Sequence, residues 1–175
     1  MGDAIALIDK IIEEHRAISQ ELQDFEQIAN DAKAITAFDK AKEVFMPGRF
    51  TDKQGLEAFA QLLDTITEGM HGHFGREEGP LMDVLKEQGE EELRTAMHSL
   101  LLEHENLKQR LAYTKNEVTI LQVGKLPAQL WRARGYDMRA YITHTRKLFE
   151  EHAGLEQDLL HTLRSELSGK QARDS

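Results

Sequence analysis

The sequence contains no cysteine. That excludes a disulfide framework, a thiolate metal site and a cysteine-bound iron–sulfur cluster. Proline is scarce, with three residues in the chain. No apolar run approaches the ~20 residues that a membrane-spanning helix needs. Basic charge is outweighed: 22 Lys and Arg stand against 31 Asp and Glu, for a formal net charge of −9. The basic residues are scattered among acids, not gathered into the patch that a nucleic-acid surface requires. Neither nucleic acid nor membrane is therefore an expected partner. The first stretch, MGDAIALIDKIIEEH, has early acids and no basic n-region, so a secretory signal is not expected and the cytoplasm is the expected compartment.

What the chain has is Glu, Leu, Ala, Lys and Gln in abundance, which suits helices, and eight histidines in 175 residues. That length suits one domain with a real core. Four segments carry helical apolar periodicity. The first stripe runs Ala4, Ile8, Ile11, His15, Ile18, Leu22, Phe25, Ala29. The second runs Leu56, Phe59, Leu63, Ile66, Met70, His73, Glu77, Pro80, Val84. The third runs Leu93, Met97, Leu100, His104, Leu107, Leu111, Thr114, Val118, Leu121, and the fourth Met138, Ile142, Thr145, Phe149, His152, Glu156, Leu159, Leu163.

Breaks fall at Met46-Pro47-Gly48, at Gly89 and at Gly124-Lys125-Leu126-Pro127. Thr51 and Gln54 read as a capping box, Gly89 as a helix C-cap, and Pro127 as lying near a first helical position. Residues 31–45 have an apolar set out of phase with the first stripe, which predicts a kink at Asn30-Asp31 and a short extra helix. The expected fold is all-α: an antiparallel up-down-up-down four-helix bundle over residues 1–167, that extra helix between its first and second helices, and a flexible tail over 168–175.

The two halves of the chain repeat each other. IIEEHRAISQEL (11–22) aligns with LLLEHENLKQRL (100–111), setting His15 on His104. MHGHFGREEGPL (70–81) aligns with FEEHAGLEQDLL (149–160), setting His73 on His152 and Glu77 on Glu156. The His-x-x-x-Glu spacing puts an imidazole and a carboxylate on one helix face, one turn apart. In an antiparallel hairpin, residues at one level lie equally far from the turn. The midpoint of His73 and His104 is 88.5, at Gly89; that of His104 and His152 is 128, beside Pro127; that of His15 and His73 is 44, near Met46-Pro47-Gly48. All six residues are thus expected in one layer of the core.

An ionised carboxylate in a dry core costs several kcal/mol unless it is paired, protonated or bound to metal. Six ligands are too many for one tetrahedral zinc, whereas two ions that share Glu77 and Glu156 use them all. Nitrogen and oxygen donors suit iron or manganese, with zinc as a substitute. Such a pair would leave an open position for O2, NO or peroxide.

At these residues, His … His-x-x-x-Glu … His … His-x-x-x-Glu, the sequence resembles the hemerythrin-like family, the HHE cation-binding domains, over about residues 4 to 165. The resemblance implies a four-helix bundle with an oxo- or hydroxo-bridged non-haem di-iron centre. His15, His73, His104 and His152 would be terminal ligands, and Glu77 and Glu156 bridging ones. Oxygen-carrying hemerythrins have a further His four residues after the one on the third helix, where this chain has Lys108, and an Asp where it has Gln157. The four-His, two-Glu set looks more like the branch linked to iron-centre repair and to nitric-oxide or oxidative stress. An iron buffer or donor, and a metal-free structural bundle, are the alternatives. Nothing in the sequence marks an organic-substrate pocket, a nucleophile or a phosphate loop, any protein partner is unknown, and an enzyme is not the leading reading.

The other polar residues read as surface. His71 points away from His73, His98 and His161 lie outside the stripes, and His144 borders the fourth stripe, with an extra ligand role as its alternative. Glu14 and Glu103 precede the lone histidines and lie about 100° off the stripe. They are expected in solvent, the alternative being to orient an imidazole through its second nitrogen. Glu78 is expected at the surface, Pro80 to kink the helix past Glu77, and Trp131, Met138 and Phe149 in the core.

Overall fold

A computed structural model describes residues 2–30, 53–123 and 126–173, and all regular structure among them is helical. The helices are α1 (Gly2–Asn30), α2 (Lys53–Arg76), α3 (Met82–Gln88), α4 (Glu91–Val123) and α5 (Ala128–Arg173), with a π-helical turn over Glu77–Leu81 between α2 and α3. Backbone angles stay helical at both ends of that turn, at Arg76 (φ −73, ψ −34) and Met82 (φ −63, ψ −32). Residues 53–88 therefore form one continuous run. Among the described residues, no helix is long and apolar enough to cross a membrane. The expected kink at Asn30-Asp31, the short extra helix, Met46-Pro47-Gly48, Thr51 of the capping box and Gly124-Lys125 lie outside the described residues.

The ends have local causes. The Gly89 N–H donates to the Leu85 carbonyl at 2.9 Å and closes α3. Its backbone is extended (φ −84, ψ 155) rather than left-handed. The Trp131 N–H donates to the Pro127 carbonyl at 2.9 Å, which puts Pro127 just ahead of α5, where its missing N–H costs nothing. Helix α5 runs on through residues 168–173 to Arg173. Leu167 is fully buried, and Lys170 Nζ donates to the Gln88 carbonyl at 2.7 Å, which ties this end to α3.

The apolar stripes pack as their periodicity requires, with two local shifts. Past Glu77 the buried residues are Leu81 and Leu85, while Pro80 is exposed and Val84 only partly buried. The π turn explains this. Proline removes the N–H that would bond the Arg76 carbonyl, and the backbone widens so that the Met82 N–H bonds the Glu77 carbonyl five residues back. The inward face then arrives one residue later. On α5, Leu160 is buried in place of the expected Leu159. Trp131, Met138 and Phe149 are buried as expected.

α1 packs on α2 and α5, and α4 packs on the same two helices. Cross-helix pairs form ladders. Between α4 and α5, the Trp131 indole donates to the Leu121 carbonyl (3.2 Å), Arg134 donates to both oxygens of Glu117 (2.9 Å each), and Arg110 lies 2.7 Å from His144 Nδ1. Between α1 and α5, Arg164 pairs with Asp9 (2.7 Å), Gln23 with Glu150 (3.2 Å), and Arg146 with Glu26. Between α1 and α2, Phe25 stacks on Phe59 at 4.2 Å; between α2 and α4, Lys115 reaches Asp64 at 2.5 Å.

The core falls into two apolar blocks. One holds Ile18, Leu22, Met70, Phe74, Leu107, Phe149 and their neighbours; the other holds Ile8, Ile11, Leu81, Leu85, Met97, Leu160 and theirs. Every helical run passes from one block to the other, and it does so at His15, at His73 and Glu77, at His104, or at His152 and Glu156. A polar layer divides the core.

A Cβ added at Gly75 or Gly154 would meet nothing within 4 Å. Close packing is therefore not why these matching positions are glycine, and nothing in the structure explains the roughly 1 kcal/mol that each costs its helix relative to Ala.

Candidate metal centre

The six residues singled out in the sequence meet in that layer, and none is more than 2 % exposed. Helical spacing brings them there. His73 and Glu77 end α2 and open the π turn, His152 and Glu156 lie one turn apart on α5, and His15 and His104 come singly from α1 and α4. Two ligand groups result, each with its donor atoms within 4.8 Å of one another: His15, His73, Glu77 and Glu156, and Glu77, His104, His152 and Glu156. Both glutamates belong to both groups.

The contacts show how the carboxylates are shared. Glu77 turns Oε1 towards His73 Nε2 (2.7 Å) and His15 Nε2 (3.4 Å), and Oε2 towards His104 Nε2 (3.3 Å). Glu156 Oε2 lies 3.2 Å from His15 Nε2 and 3.5 Å from His152 Nε2. Despite this proximity, all four carboxylate oxygens, His15 Nε2 and His73 Nε2 are buried and, among the described residues, lack a hydrogen bond of acceptable geometry. Buried polar atoms nearly always have a partner, and a set of orphans facing one another is a donor set that could hold a metal ion.

The outer face of the layer gives contacts to three carboxylates that the sequence places in solvent. Glu14 Oε2 sits 3.2 Å from His73 Nδ1, Glu78 Oε1 2.9 Å from His104 Nδ1, and Glu103 Oε2 3.2 Å from His152 Nδ1. These carboxylates are partly solvated, as expected, but each also reaches an imidazole, and in each case on a neighbouring helix rather than its own. An ionised carboxylate only accepts, so each of these Nδ1 atoms is the donor, and in the neutral ring the Nε2 lone pair then faces inward. His104 Nε2 and His152 Nε2 then stand 3.1 Å apart. Two lone pairs at that distance repel unless a proton or a metal ion lies between them. The donor set fits a pair of divalent ions with nitrogen and oxygen ligands.

Electrostatics in the metal-free layer agree. Burial alone would lower the His15 imidazole, but the carboxylates of Glu156 and Glu77 outweigh it and lift it to about 9. His152 is also raised, against burial, chiefly by Glu156. His104 is lowered, because burial there is not overcome by the carboxylates around it. Burial would raise Glu156, yet His15 and His152 hold it at about 2. The two buried carboxylates thus favour protons on His15 and His152 in the metal-free layer.

Apolar walls close the layer. Phe74 stacks on the His104 ring (centroids 3.9 Å apart, 17° between planes), and the Phe149 edge approaches His15 at 6.2 Å and His73 at 6.4 Å. Lys108 pairs with Glu78 at 2.8 Å. No protein-family model, no curated protein and no solved structure matches the chain.

The remaining histidines stay outside the layer: His71, His98, His144 and His161 are all exposed. His144 instead meets Arg110, a buried residue whose guanidinium also lies 4.2 Å from the Tyr141 ring. This pair and the buried Glu117 with Arg134 went unread in the sequence. The available signal was the spacing of Glu103, Arg110 and Glu117, seven residues apart, which continues one flank of α4 along its seam with α5.

Proposed function

We propose that this is a non-haem di-metal protein, with iron as its resident metal, that binds or reacts with O2, NO or peroxide in sensing, stress response or iron-centre protection. In this reading it is a hemerythrin-like, antiparallel up-down-up-down bundle. The ladders support that topology, because residue numbers rise along one helix as they fall along its neighbour. The observation that carries the reading is the donor set: four imidazoles and two carboxylates in one buried layer, with every carboxylate oxygen lacking a hydrogen bond.

His15, His73, His104 and His152 would hold the ions at their ends, and Glu77 and Glu156, common to both groups, would be shared between them. When bound, the metal pair would supply an open coordination position and electrons for the small ligand. The chain's own residues do the rest. Glu14, Glu78 and Glu103 keep protons on three Nδ1 atoms and so aim the Nε2 lone pairs inward. Phe74 and Phe149 exclude water from the layer.

Anaerobic titration of the ferrous-loaded protein with NO, then with O2 and peroxide, tests the function. A new visible absorption that saturates at a fixed ratio to protein is the expected result. Protein that loads iron, shows no spectral response to any of the three and yields its iron to a weak chelator would instead be an iron buffer or donor.

A further inference from the structure

The internal repeat makes the two halves of the layer look interchangeable, but the groups behind the imidazoles are not. In the His104/His152 group both outer nitrogens meet a carboxylate, from Glu78 at 2.9 Å and from Glu103 at 3.2 Å. In the His15/His73 group only His73 does, through Glu14 at 3.2 Å. That carboxylate is shared with the Arg76 guanidinium, whose Nε lies 2.9 Å from Oε2 and Nη2 2.8 Å from Oε1, much as Glu78 is shared with Lys108 at 2.8 Å, so the difference between the halves lies at His15. Among the described residues, His15 Nδ1 is buried and has no hydrogen-bond partner.

The cause can be read from the repeat. Glu78 follows Glu77; the residue that follows Glu156 is Gln157. Gln157 is on the flank of α5 that faces α1, seven residues from both Glu150 and Arg164, which reach Gln23 and Asp9. Midway between Asp9 and Gln23 along α1 is residue 16, next to His15. Gln157 is thus at the right level and on the right flank, but its side-chain amide is 3.4 Å from His161 Nε2 instead.

A carboxylate on the outer nitrogen fixes an imidazole's tautomer and raises its basicity as a ligand, and removing such a partner costs about 10–100-fold in metal affinity. An outer N–H left unpaired in the interior adds a desolvation cost whenever Nε2 is the ligand atom. We infer that the two metal positions are unequal: the His104/His152 position is the tighter and fills first, and the His15/His73 position is the weaker and fills second, with Glu78, Glu103, Glu14 and Gln157 as the positioning residues that set the difference.

This rests on the metal-centre reading, and cobalt(II) titration separates the two. Calorimetry with a competing chelator, checked by the cobalt absorption bands, reads each step in the whole chain. The wild type is expected to show two steps differing by about 10–100-fold. Glu103→Gln is expected to weaken the first step, and Glu14→Gln the second. Gln157→Glu, which gives His15 an acceptor, is expected to tighten the second step and narrow the gap, while Gln157→Leu leaves the gap open. Thermal unfolding with EDTA identifies any variant that misfolds. Two equal steps in the wild type, or Glu103→Gln acting on the second step alone, overturn the inequality and leave the metal centre standing. No cobalt uptake by the wild type overturns both.

Discussion

Replacing Glu77 by Gln is expected to empty both metal positions, not one. The substitution keeps the shape of the side chain and removes the charge that both ligand groups share. Four imidazoles and a single carboxylate then remain to balance two divalent ions. Metal content should fall from two ions per chain towards none, as should that of Glu156→Gln, because Glu156 has the same double membership. Stability should follow. A ligand that binds only the folded state at a thousand times its dissociation constant adds about 4 kcal/mol, which for a chain of this size is a rise in melting temperature of roughly 10 °C. The variant should lose that rise and melt at the same temperature with and without metal. His71→Ala, on an exposed residue outside the layer, should keep both the ions and the rise. A Glu77→Gln protein that still holds two ions would remove Glu77 from the shared role assigned to it.

Metal-free protein is expected to lose stability as pH rises from about 6.5 to about 9, and the metal-loaded protein is not. In the folded chain the Glu156 and Glu77 carboxylates, working against burial, lift His15 from 6.5 to about 9. Below pH 6.5 folded and unfolded chains both hold this proton, and the stabilisation is whole. Between the two values only the folded chain holds it, so each rise in pH favours unfolding; above about 9 the contribution is gone. A shift of this size corresponds to roughly 3 kcal/mol. Glu156 behaves in the opposite sense: held at about 2 by His15 and His152 against an ordinary 4.5, its contribution is whole above 4.5 and is lost as pH falls through 2. Metal binds the deprotonated imidazole, so its affinity grows over the same alkaline window and offsets the loss. Chemical denaturation from pH 6 to pH 10, with EDTA and with ferrous iron under nitrogen, checks both curves. A flat or rising EDTA curve would mean that His15 is not protonated in the metal-free layer.

How much of this was legible in the sequence depends on what each residue answers to. His15, His73, Glu77, His104, His152 and Glu156 could be placed because each interrupts an apolar stripe, and a stripe has one buried side whatever its neighbours are. The midpoints at Gly89 and Pro127 then set the level at which they meet. The π turn was less visible. Pro80 signalled trouble, but whether a proline bends a helix or widens one turn depends on what the next residues can bury, and here Leu81 and Leu85 fill the core. The outer carboxylates were harder still. Glu14, Glu78 and Glu103 look like solvent-facing residues on their own helices, and their partners lie across a seam on another helix. Periodicity within one segment carries no information about which seam a flank faces. The seven-residue spacing of Glu103, Arg110 and Glu117 marks one flank of α4, and only the structure shows that this flank meets α5.

Metal content per chain tests the central claim most directly, measured on protein as purified and again after anaerobic ferrous loading and desalting. The account expects about two irons per chain, one for each ligand group, with near-ultraviolet and visible absorption that disappears when the iron is removed. A folded chain that carries no metal and takes up none would contradict it, and the buried layer of four histidines and two glutamates would then have to be stable on shared protons alone.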